Sequence, residues 1–311
     1  MADCSQVFKQ FEGRISITHT DTKFLRAARS AITQKIKDYF SKSCNGPKLK
    51  FLGQGSFTMG TVVKPLEGEF DIDVGVYLLD YPSWTSERPK VETVSSWLVN
   101  ALENHTATAP INKRSCVRIV YKPKDQEKQI SYHVDLPIYI EYLNFWDEKR
   151  IRIGITGETQ WERKTDPVGF TWWFIQKCKN NAQDPKQLVR LVKYIKAWKE
   201  YKKGNWNFPS GVALTVLMAE NYAPNSRDDI SFHETVRRAY NDLDGVFWIN
   251  SITKPVENHN DLLEKLTDGE KKKFLAEFEK LVDDGKLAIG EEDTDRSISI
   301  WTTHFDHRFM N

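Results

Sequence analysis

Apolar residues recur along the chain with two different periods, and the change of period divides the sequence. From 21 to 43 they follow helical spacing, with Thr20 or Asp21 available as a cap, which predicts a long amphipathic helix. Between 48 and 141 they form short runs, mostly rich in β-branched and aromatic residues, which predict strands at 49–52, 74–79, 116–121 and 130–140 and a helix at 91–104. Helical spacing then returns in five segments, 170–181, 185–203, 209–222, 229–242 and 262–283.

These patterns predict two lobes, of which the first is α/β or α+β. The polar stretch 122–129 predicts a hairpin between the last two strands, and the helix at 91–104 interrupts the strands of this lobe. The second lobe is helical. We place the boundary near Asp166, giving domains 1–165 and 166–311, and expect a ligand cleft between them because small molecules favour such clefts.

Composition narrows the class of protein. The 311 residues include 45 Lys and Arg against 43 Asp and Glu, a net charge of +2, which argues against a globally basic nucleic-acid-binding protein. No apolar run approaches the ~20 residues of a membrane span. The segment 1–6 lacks the features of a signal peptide, so we expect a soluble, cytoplasmic protein.

The cysteines and histidines do not form a zinc pattern. Cys4, Cys44, Cys116 and Cys178 are scattered without a CxxC pair. His304 and His307 have no third ligand nearby, and we interpret them as part of a solvated tail.

Two carboxylates open the second predicted strand. Asp71 and Asp73 are two positions apart, so both side chains project from one face, ~6–7 Å apart. Like charges at that separation repel unless a cation lies between them, and oxygen ligands favour Mg²⁺. An exposed pair of acids at a strand start is the alternative interpretation.

A glycine-rich segment precedes these acids. Gly55 and Ser56 follow an apolar strand, where glycine permits close backbone approach and successive N–H groups can bind an anion. The segment matches neither a Walker loop nor a GxGxxG pattern. The alternative is a plain turn followed by a helix.

A third acid lies inside another apolar strand. Asp135 would be costly to bury there without a partner or ligand, although Pro137 also allows a solvent-facing edge position. His133 shares its face and is interpreted as a structural hydrogen-bond partner rather than a catalyst.

The combination of Gly55-Ser56, Asp71-x-Asp73 and Asp135 resembles the polymerase-β-like nucleotidyltransferases. The fuller string GQGSFTMGT…EFDIDVGVYL resembles the bacterial cGAS/DncV-like nucleotidyltransferases (CD-NTases), and the similarity continues through 161–167 and 188–222. The resemblance implies an α+β fold. Its first part would be a polymerase-β-like catalytic lobe, a mixed sheet with helices and a long N-terminal spine helix, and its second a helical lobe like that of 2′-5′ oligoadenylate synthase and cGAS.

The resemblance also assigns roles. Asp71, Asp73 and Asp135 would hold two Mg²⁺ ions, which Mn²⁺ can replace, and Asp135 would also take the proton of the attacking hydroxyl. Gln54, Gly55, Ser56 and Met59 would belong to the nucleotide site, with Gly55 and Ser56 at the β- and γ-phosphates. Met59 stands where some relatives have Tyr or Arg, so base preference does not carry over.

A basic stripe in the helical part suggests a second phosphate contact. Lys193, Lys196, Lys199 and Lys203 lie roughly along one side of the helix predicted at 185–203. Ser210 begins the next helix, where free N–H groups favour phosphate. The resemblance points to Lys196 and Ser210 as the triphosphate ligands, and a solvated helix face is the alternative.

The resemblance implies that the protein condenses ribonucleoside triphosphates, ATP, GTP or others, into a cyclic di- or trinucleotide without a template. This product would be a messenger in anti-phage signalling, and regulatory or effector proteins would be the partners. Membrane association and activation by double-stranded DNA are not expected. One alternative is a transferase that makes linear oligonucleotides or extends RNA, which would need a basic or aromatic track for its acceptor. Another is a non-catalytic nucleotide-binding protein, which the retained acids oppose.

Overall fold

The computed structural model describes residues 1–43, 47–66, 69–81, 87–122, 131–157, 161, 163–244, 251–256 and 260–310. Its contacts divide the chain into two compact units. We call Met1–Ser16, Gly60–Leu66 and Trp172–Asn311 the helical unit, and Ile17–Met59 with Glu67–Thr171 the sheet unit.

The predicted elements occur in the predicted order, with further elements at both ends and within the sheet unit. The helices are α1 Ser5–Ile15, α2 His19–Ser43, α3 Gly55–Met59, α4 Val91–Ala101, α5 Pro167–Lys179, α6 Gln187–Lys202, α7 Gly211–Glu220, α8 Asp228–Leu243, α9 Asp268–Gly290 and α10 Thr294–Thr302, before a 3-10 turn at His307–Phe309. The strands are β1 Leu49–Gln54, β2 Phe70–Tyr81, β3 Ile111–Asn112, β4 Val117–Tyr121, β5 Tyr132–Leu136, β6 Ile138–Leu143, β7 Lys149–Ile153 and β8 Arg163–Lys164. The α+β prediction is confirmed.

The sheet is mixed and centred on β2. β1 pairs antiparallel with β2, while β5 and β6 pair in parallel with successive stretches of it. Pro137 ends β5, so the single strand predicted at 130–140 is wrong in detail. Its carbonyl still accepts the Val76 N–H at 2.9 Å, and the parallel pairing therefore continues past the proline.

Successive side chains of β2 alternate between a core face and the face that carries the acids. Ile72, Val74, Val76 and Leu78 are at most 2% exposed and form part of the core of the sheet unit. The residues between them, beginning with Asp71 and Asp73, occupy the opposite face, because successive strand side chains point to opposite sides. The predicted hairpin strands do pair, with Tyr121 opposite Tyr132, while 123–130 lie outside the described residues.

The core of the helical unit is aromatic and includes both chain ends. Phe8 of α1 packs edge-on against Tyr194, Trp301 and Phe309 with ring centroids 5.0–5.2 Å apart. His304 is fully buried and its Nε2 lies 2.8 Å from an oxygen of Asp284. The interpretation of this region as a solvated tail is therefore wrong, because α10 and the turn after it supply core residues. None of the helices in the described part of the chain combines the length and apolarity of a membrane span.

Candidate functional site

The strand register brings the three predicted acids together. On the parallel pair β2–β5, Asp71 lies opposite His133 and Asp73 opposite Asp135. On the other pairing, Gln54 lies opposite Asp73. β5 also pairs with β4, so Asp135 lies on an interior strand and not at the solvent-facing edge that Pro137 allowed.

The electrostatics of Asp73 are those of a crowded acid. Burial, together with the charges of Asp135 and Asp71, raises its pKa to about 7. The pKa of Asp71 is also raised, chiefly by burial and further by Asp135, although His133 and Arg118 oppose the shift. These carboxyls resist ionising together, and a cation placed among them would relieve the repulsion.

Arg118 is a site residue that sequence reasoning missed. It lies opposite Asp135 on the neighbouring strand β4, and its Nε and Nη2 each donate to one Asp135 oxygen at 2.6 Å. Nη2 is also 3.7 Å from an Asp71 oxygen. The available signal was an arginine within the apolar strand predicted at 116–121, next to a strand that carries a lone acid.

His133 completes the cluster. Its Nδ1 lies 3.0 Å from Oε2 of Glu69. Its Nε2 is buried and makes no hydrogen bond with the described residues, yet it lies against Oδ1 of Asp71. One ligand atom from each of Asp71, His133 and Asp135 lies within 4.8 Å of the other two.

This donor set fits a divalent cation. The pKa values of two carboxyls, Asp71 and Asp73, are raised, and the buried Nε2 of His133 has no hydrogen-bond partner among the described residues. Such groups are costly to bury without a counter-charge or ligand. The described residues that could hold the ion are Asp71, Asp73, Asp135 and His133.

The predicted glycine turn packs directly on this cluster. Gly55 has φ +68°, a conformation that side chains disfavour, and a Cβ there would collide with the Asp73 carboxylate. Both the positive φ and the lack of space for a Cβ therefore require glycine at this position. Ser56 follows in the first turn of α3, and its hydroxyl makes no hydrogen bond with the described residues.

Gln54 and Met59 are more buried than expected of nucleotide contacts. Gln54 is 6% exposed, its Nε2 donates to the Tyr139 hydroxyl at 2.7 Å, and its Oε1 accepts from Tyr77 at 3.3 Å. Met59 is 7% exposed. Gln54 therefore has a structural role in the sheet beside the acids, because both of its side-chain polar atoms make hydrogen bonds within the protein.

In the helical unit, the structure brings Lys196 close to the start of α7. The Lys196 Nζ donates to the carbonyl and hydroxyl oxygens of Thr61, each at 3.1 Å, and its Cε is 3.6 Å from where a Gly211 Cβ would sit. Burial, with Lys199 and Lys193 nearby, lowers the Lys196 pKa to about 7. The Ser210 hydroxyl caps α7 by accepting the Ala213 N–H at 3.1 Å, and its own hydrogen is free for an acceptor.

The rest of the basic stripe is not uniform. Lys193 is buried and its Nζ contacts Glu12 of α1 at 2.5 Å, and Lys203 pairs with Glu200 at 2.7 Å. The pKa of Lys199 is lowered, chiefly by burial. The stripe is therefore neither a solvated face nor a continuous anion track.

Comparison with known proteins gives the same family as the sequence motifs. Residues 49–139 match the family described as "Cyclic GMP-AMP synthase DncV-like, nucleotidyltransferase domain". The chain is 26% identical over 240 residues to the cyclic GMP-AMP synthase of Escherichia albertii, covering 74% of this chain and 48% of that protein. It is 26% identical over 149 residues to the cyclic AMP-AMP-AMP synthase of an Acinetobacter strain, covering 47% and 43%. The chain thus spans about half the length of these relatives.

Solved structures share the fold over the full chain. Vibrio cholerae DncV bound to nonhydrolyzable GTP superposes with a TM-score of 0.78 at 15% identity, covering 100% of this chain and 98% of that one. CdnC, in the E. coli MS115-1 CdnC:HORMA-deltaN complex, gives 0.73 at 16% identity, covering 99% and 98%. The predicted resemblance is confirmed: the chain has the fold of DncV and CdnC, and residues 49–139 match the DncV-like nucleotidyltransferase family.

Proposed function

We propose that this protein condenses ribonucleoside triphosphates without a template into a cyclic di- or trinucleotide, releasing pyrophosphate. The observation that carries the proposal is the β2–β5 register, which sets Asp71, Asp73 and Asp135 on adjoining strands beside the Gly55 turn. Two curated relatives named as cyclic nucleotide synthases support the product class.

The proposed reaction is attack by a ribose hydroxyl on an α-phosphate. A new O–P bond forms, the bond to the β-phosphate oxygen breaks, and pyrophosphate leaves with that electron pair. The hydroxyl proton passes to Asp135, which Arg118 holds in place through two hydrogen bonds. Divalent ions at the acids would supply positive charge for the phosphate oxygens.

Each unit, taken by itself, offers groups that suit a phosphate. In the sheet unit, Gly55 lets the chain pass close to Asp73, and the Ser56 hydroxyl is available to donate to a phosphate. In the helical unit, Lys196 and Ser210 supply a cation and a hydroxyl at the start of α7, where an anion is favoured. A role in anti-phage signalling, with regulatory or effector proteins as partners, stays a prediction.

The test is product analysis with purified protein. Triphosphates are supplied singly and together with Mg²⁺ or Mn²⁺, and products are examined by phosphatase resistance and mass spectrometry. We expect pyrophosphate release and a phosphatase-resistant cyclic product from the wild type, and neither from Asp71→Asn with Asp73→Asn. Asp38→Asn, at an exposed position of α2, should keep wild-type turnover.

The same assay separates the alternatives. A linear product with a terminal phosphate, or elongation of added RNA, would indicate the oligonucleotide-extending transferase. Absence of turnover with intact nucleotide binding would indicate a binding protein. Among the tryptophans that could have formed an acceptor track, Trp161 and Trp198 are buried, and Trp172 is 63% exposed.

A further inference from the structure

The acid cluster contains a nitrogen donor that an all-carboxylate magnesium site would lack. His133 is 7% exposed, and its ring lies between the carboxylates of Glu69 and Asp71. It therefore contacts one residue outside the predicted metal ligands and one within them.

The Glu69 contact occupies one of the two ring nitrogens. A carboxylate accepts hydrogen bonds, so Nδ1, 3.0 Å from Glu69 Oε2, donates to it. Nε2 is the ring nitrogen that faces the acid cluster. A carboxylate behind a histidine in this way orients metal-ligating imidazoles in many proteins.

The Nε2 environment is that of a ligand without its cation. Nε2 is buried, has no hydrogen-bond partner among the described residues, and faces Oδ1 of Asp71. Two acceptor atoms in contact repel each other unless positive charge lies between them. A ligand atom of Asp135 also lies within 4.8 Å of those of the other two residues.

We propose that His133 is a metal ligand through Nε2, and that it gives the site a preference for a first-row ion such as Mn²⁺ over Mg²⁺. Mg²⁺ binds almost entirely through oxygen, whereas first-row transition ions accept imidazole together with carboxylate. Glu69 is the positioning residue that holds the ring in the ligating tautomer. The inference rests on the proposed function only for the location of the metal.

The test is electron spin echo envelope modulation on nucleotide-free protein loaded with Mn²⁺, which detects nitrogen bound to the ion. We expect ¹⁴N modulation from the wild type that changes to the ¹⁵N pattern when histidine alone is ¹⁵N-labelled. His133→Gln, which replaces the nitrogen with an oxygen of similar reach, should lose the modulation. His105→Gln, which removes a partly buried histidine bonded to Tyr121 in the same unit, should keep it.

Affinity provides the second measurement. His133→Gln should weaken Mn²⁺ binding by about tenfold or more and leave Mg²⁺ binding nearly unchanged, since even outer-shell partners of a metal ligand contribute about 10- to 100-fold. Glu69→Gln should weaken Mn²⁺ binding less than His133→Gln while retaining the ¹⁴N signal.

The outcomes are distinguishable from those of the proposed function. Mn²⁺ bound to the wild type without nitrogen modulation overturns the inference and makes His133 a hydrogen-bonding partner of two carboxylates, even if cyclic product forms. Equal losses of Mn²⁺ and Mg²⁺ affinity in His133→Gln also overturn the inference. Because the labelled wild type needs no variant, misfolding of His133→Gln leaves the test intact.

Discussion

At the scale of single residues, the site is a set of groups that would be unfavourable in isolation. Asp73 has a pKa raised to about 7 by burial and by two neighbouring acids, and Asp135 shares the same surroundings with Arg118 as its partner. Lys196 in the helical unit has a pKa lowered to about 7 by burial and neighbouring lysines. Shifts of this kind concentrate at functional sites, because the charges are arranged for a ligand that brings the opposite charge.

The raised pKa of Asp73 predicts that Asp73→Asn stabilises the metal-free protein. Below the unfolded-state pKa near 3.8 the carboxyl is protonated in both states, so the substitution has little electrostatic effect. As pH rises towards 7 the unfolded state loses its proton first, which destabilises the native wild type. The gain from Asn should therefore grow between pH 4 and 7 to about 2–4 kcal/mol.

Urea unfolding in EDTA at pH 4.5 and 7.5 measures this difference, with Asp38→Asn as the exposed control. A gain from Asp73→Asn that is the same at both pH values would show that Asp73 is not destabilised by its charge.

The bidentate hydrogen bonds of the Arg118 guanidinium to Asp135 should contribute to both stability and turnover. Arg118→Met leaves the Asp135 carboxylate, 13% exposed at its side chain, without its cation. We expect a loss of about 1–3 kcal/mol in unfolding free energy and a large loss of pyrophosphate release. Arg118→Lys keeps the charge but loses the bidentate geometry, so its unfolding free energy and its rate of pyrophosphate release should lie between those of Arg118→Met and the wild type. Identical behaviour of the Lys variant and the wild type would contradict the role of the bidentate geometry.

At the scale of elements, two features of local geometry position the site. The turn from β1 into α3 brings Gly55 against Asp73, and the break at Pro137 lets β5 end while the parallel pairing with β2 continues. α6 belongs to the helical unit and positions Lys196 at the start of α7. Each element therefore places one functional group by its backbone and not by a flexible side chain.

The β1–α3 turn allows a matched glycine comparison. Gly157 has a positive φ of +87° and open space around the position of a Cβ. Gly157→Ala should therefore lower the unfolding free energy by about 1–2 kcal/mol through backbone strain alone. Gly55→Ala adds a collision with the Asp73 carboxylate and should cost about 1–3 kcal/mol more, with loss of turnover. Urea unfolding of both variants gives the comparison. Equal costs would show that the Asp73 contact is easily relieved.

Lys196 predicts a pH-dependent contribution to triphosphate binding. With a pKa of about 7 it is mostly neutral above that pH, so an anion that binds the charged form must bring a proton with it. Triphosphate affinity of the wild type should fall by up to about tenfold per pH unit above pH 7.5, and that of Lys196→Ala should change less. Titration calorimetry at pH 7.5 and 9 measures both. Lys203→Ala, which removes an exposed lysine paired with Glu200 on the same helix face, should follow the wild type. A Lys203→Ala variant that behaves like Lys196→Ala would remove Lys196 from the site.

At the scale of the whole molecule, ion binding should be visible as stability. A ligand that binds only the native state at 100 times its Kd adds about 2.7 kcal/mol. Mn²⁺ should therefore raise the melting temperature of the wild type and slow hydrogen exchange in β2 and β5. Asp71→Asn with Asp73→Asn should keep its fold, lose turnover, and show neither effect. A double variant that Mn²⁺ still stabilises to the wild-type extent would place the ion elsewhere.

The periodic elements and the chemistry of the acids could be predicted from the sequence alone. Regular apolar spacing predicted α2, most of the C-terminal helices and the strands β1, β2, β4, β5 and β6, because burial of one face imposes that spacing. Asp71, Asp73 and Asp135 could be identified because charge within an apolar strand requires a partner. α1 was missed although Phe8, Phe11 and Ile15 follow helical spacing, and α10 buries only Ser297 and Trp301.

Which groups meet in the site could be seen only in the folded chain. Strand register placed Asp73 opposite Asp135 and Arg118 beside it, and no local pattern specifies a register between strands so far apart in sequence. His133 acquires its place as a potential ligand from the same register, which sets it opposite Asp71. The physical reason is that local sequence encodes which side chains leave the solvent, whereas pairing between distant strands decides which of them share a face and therefore a cation.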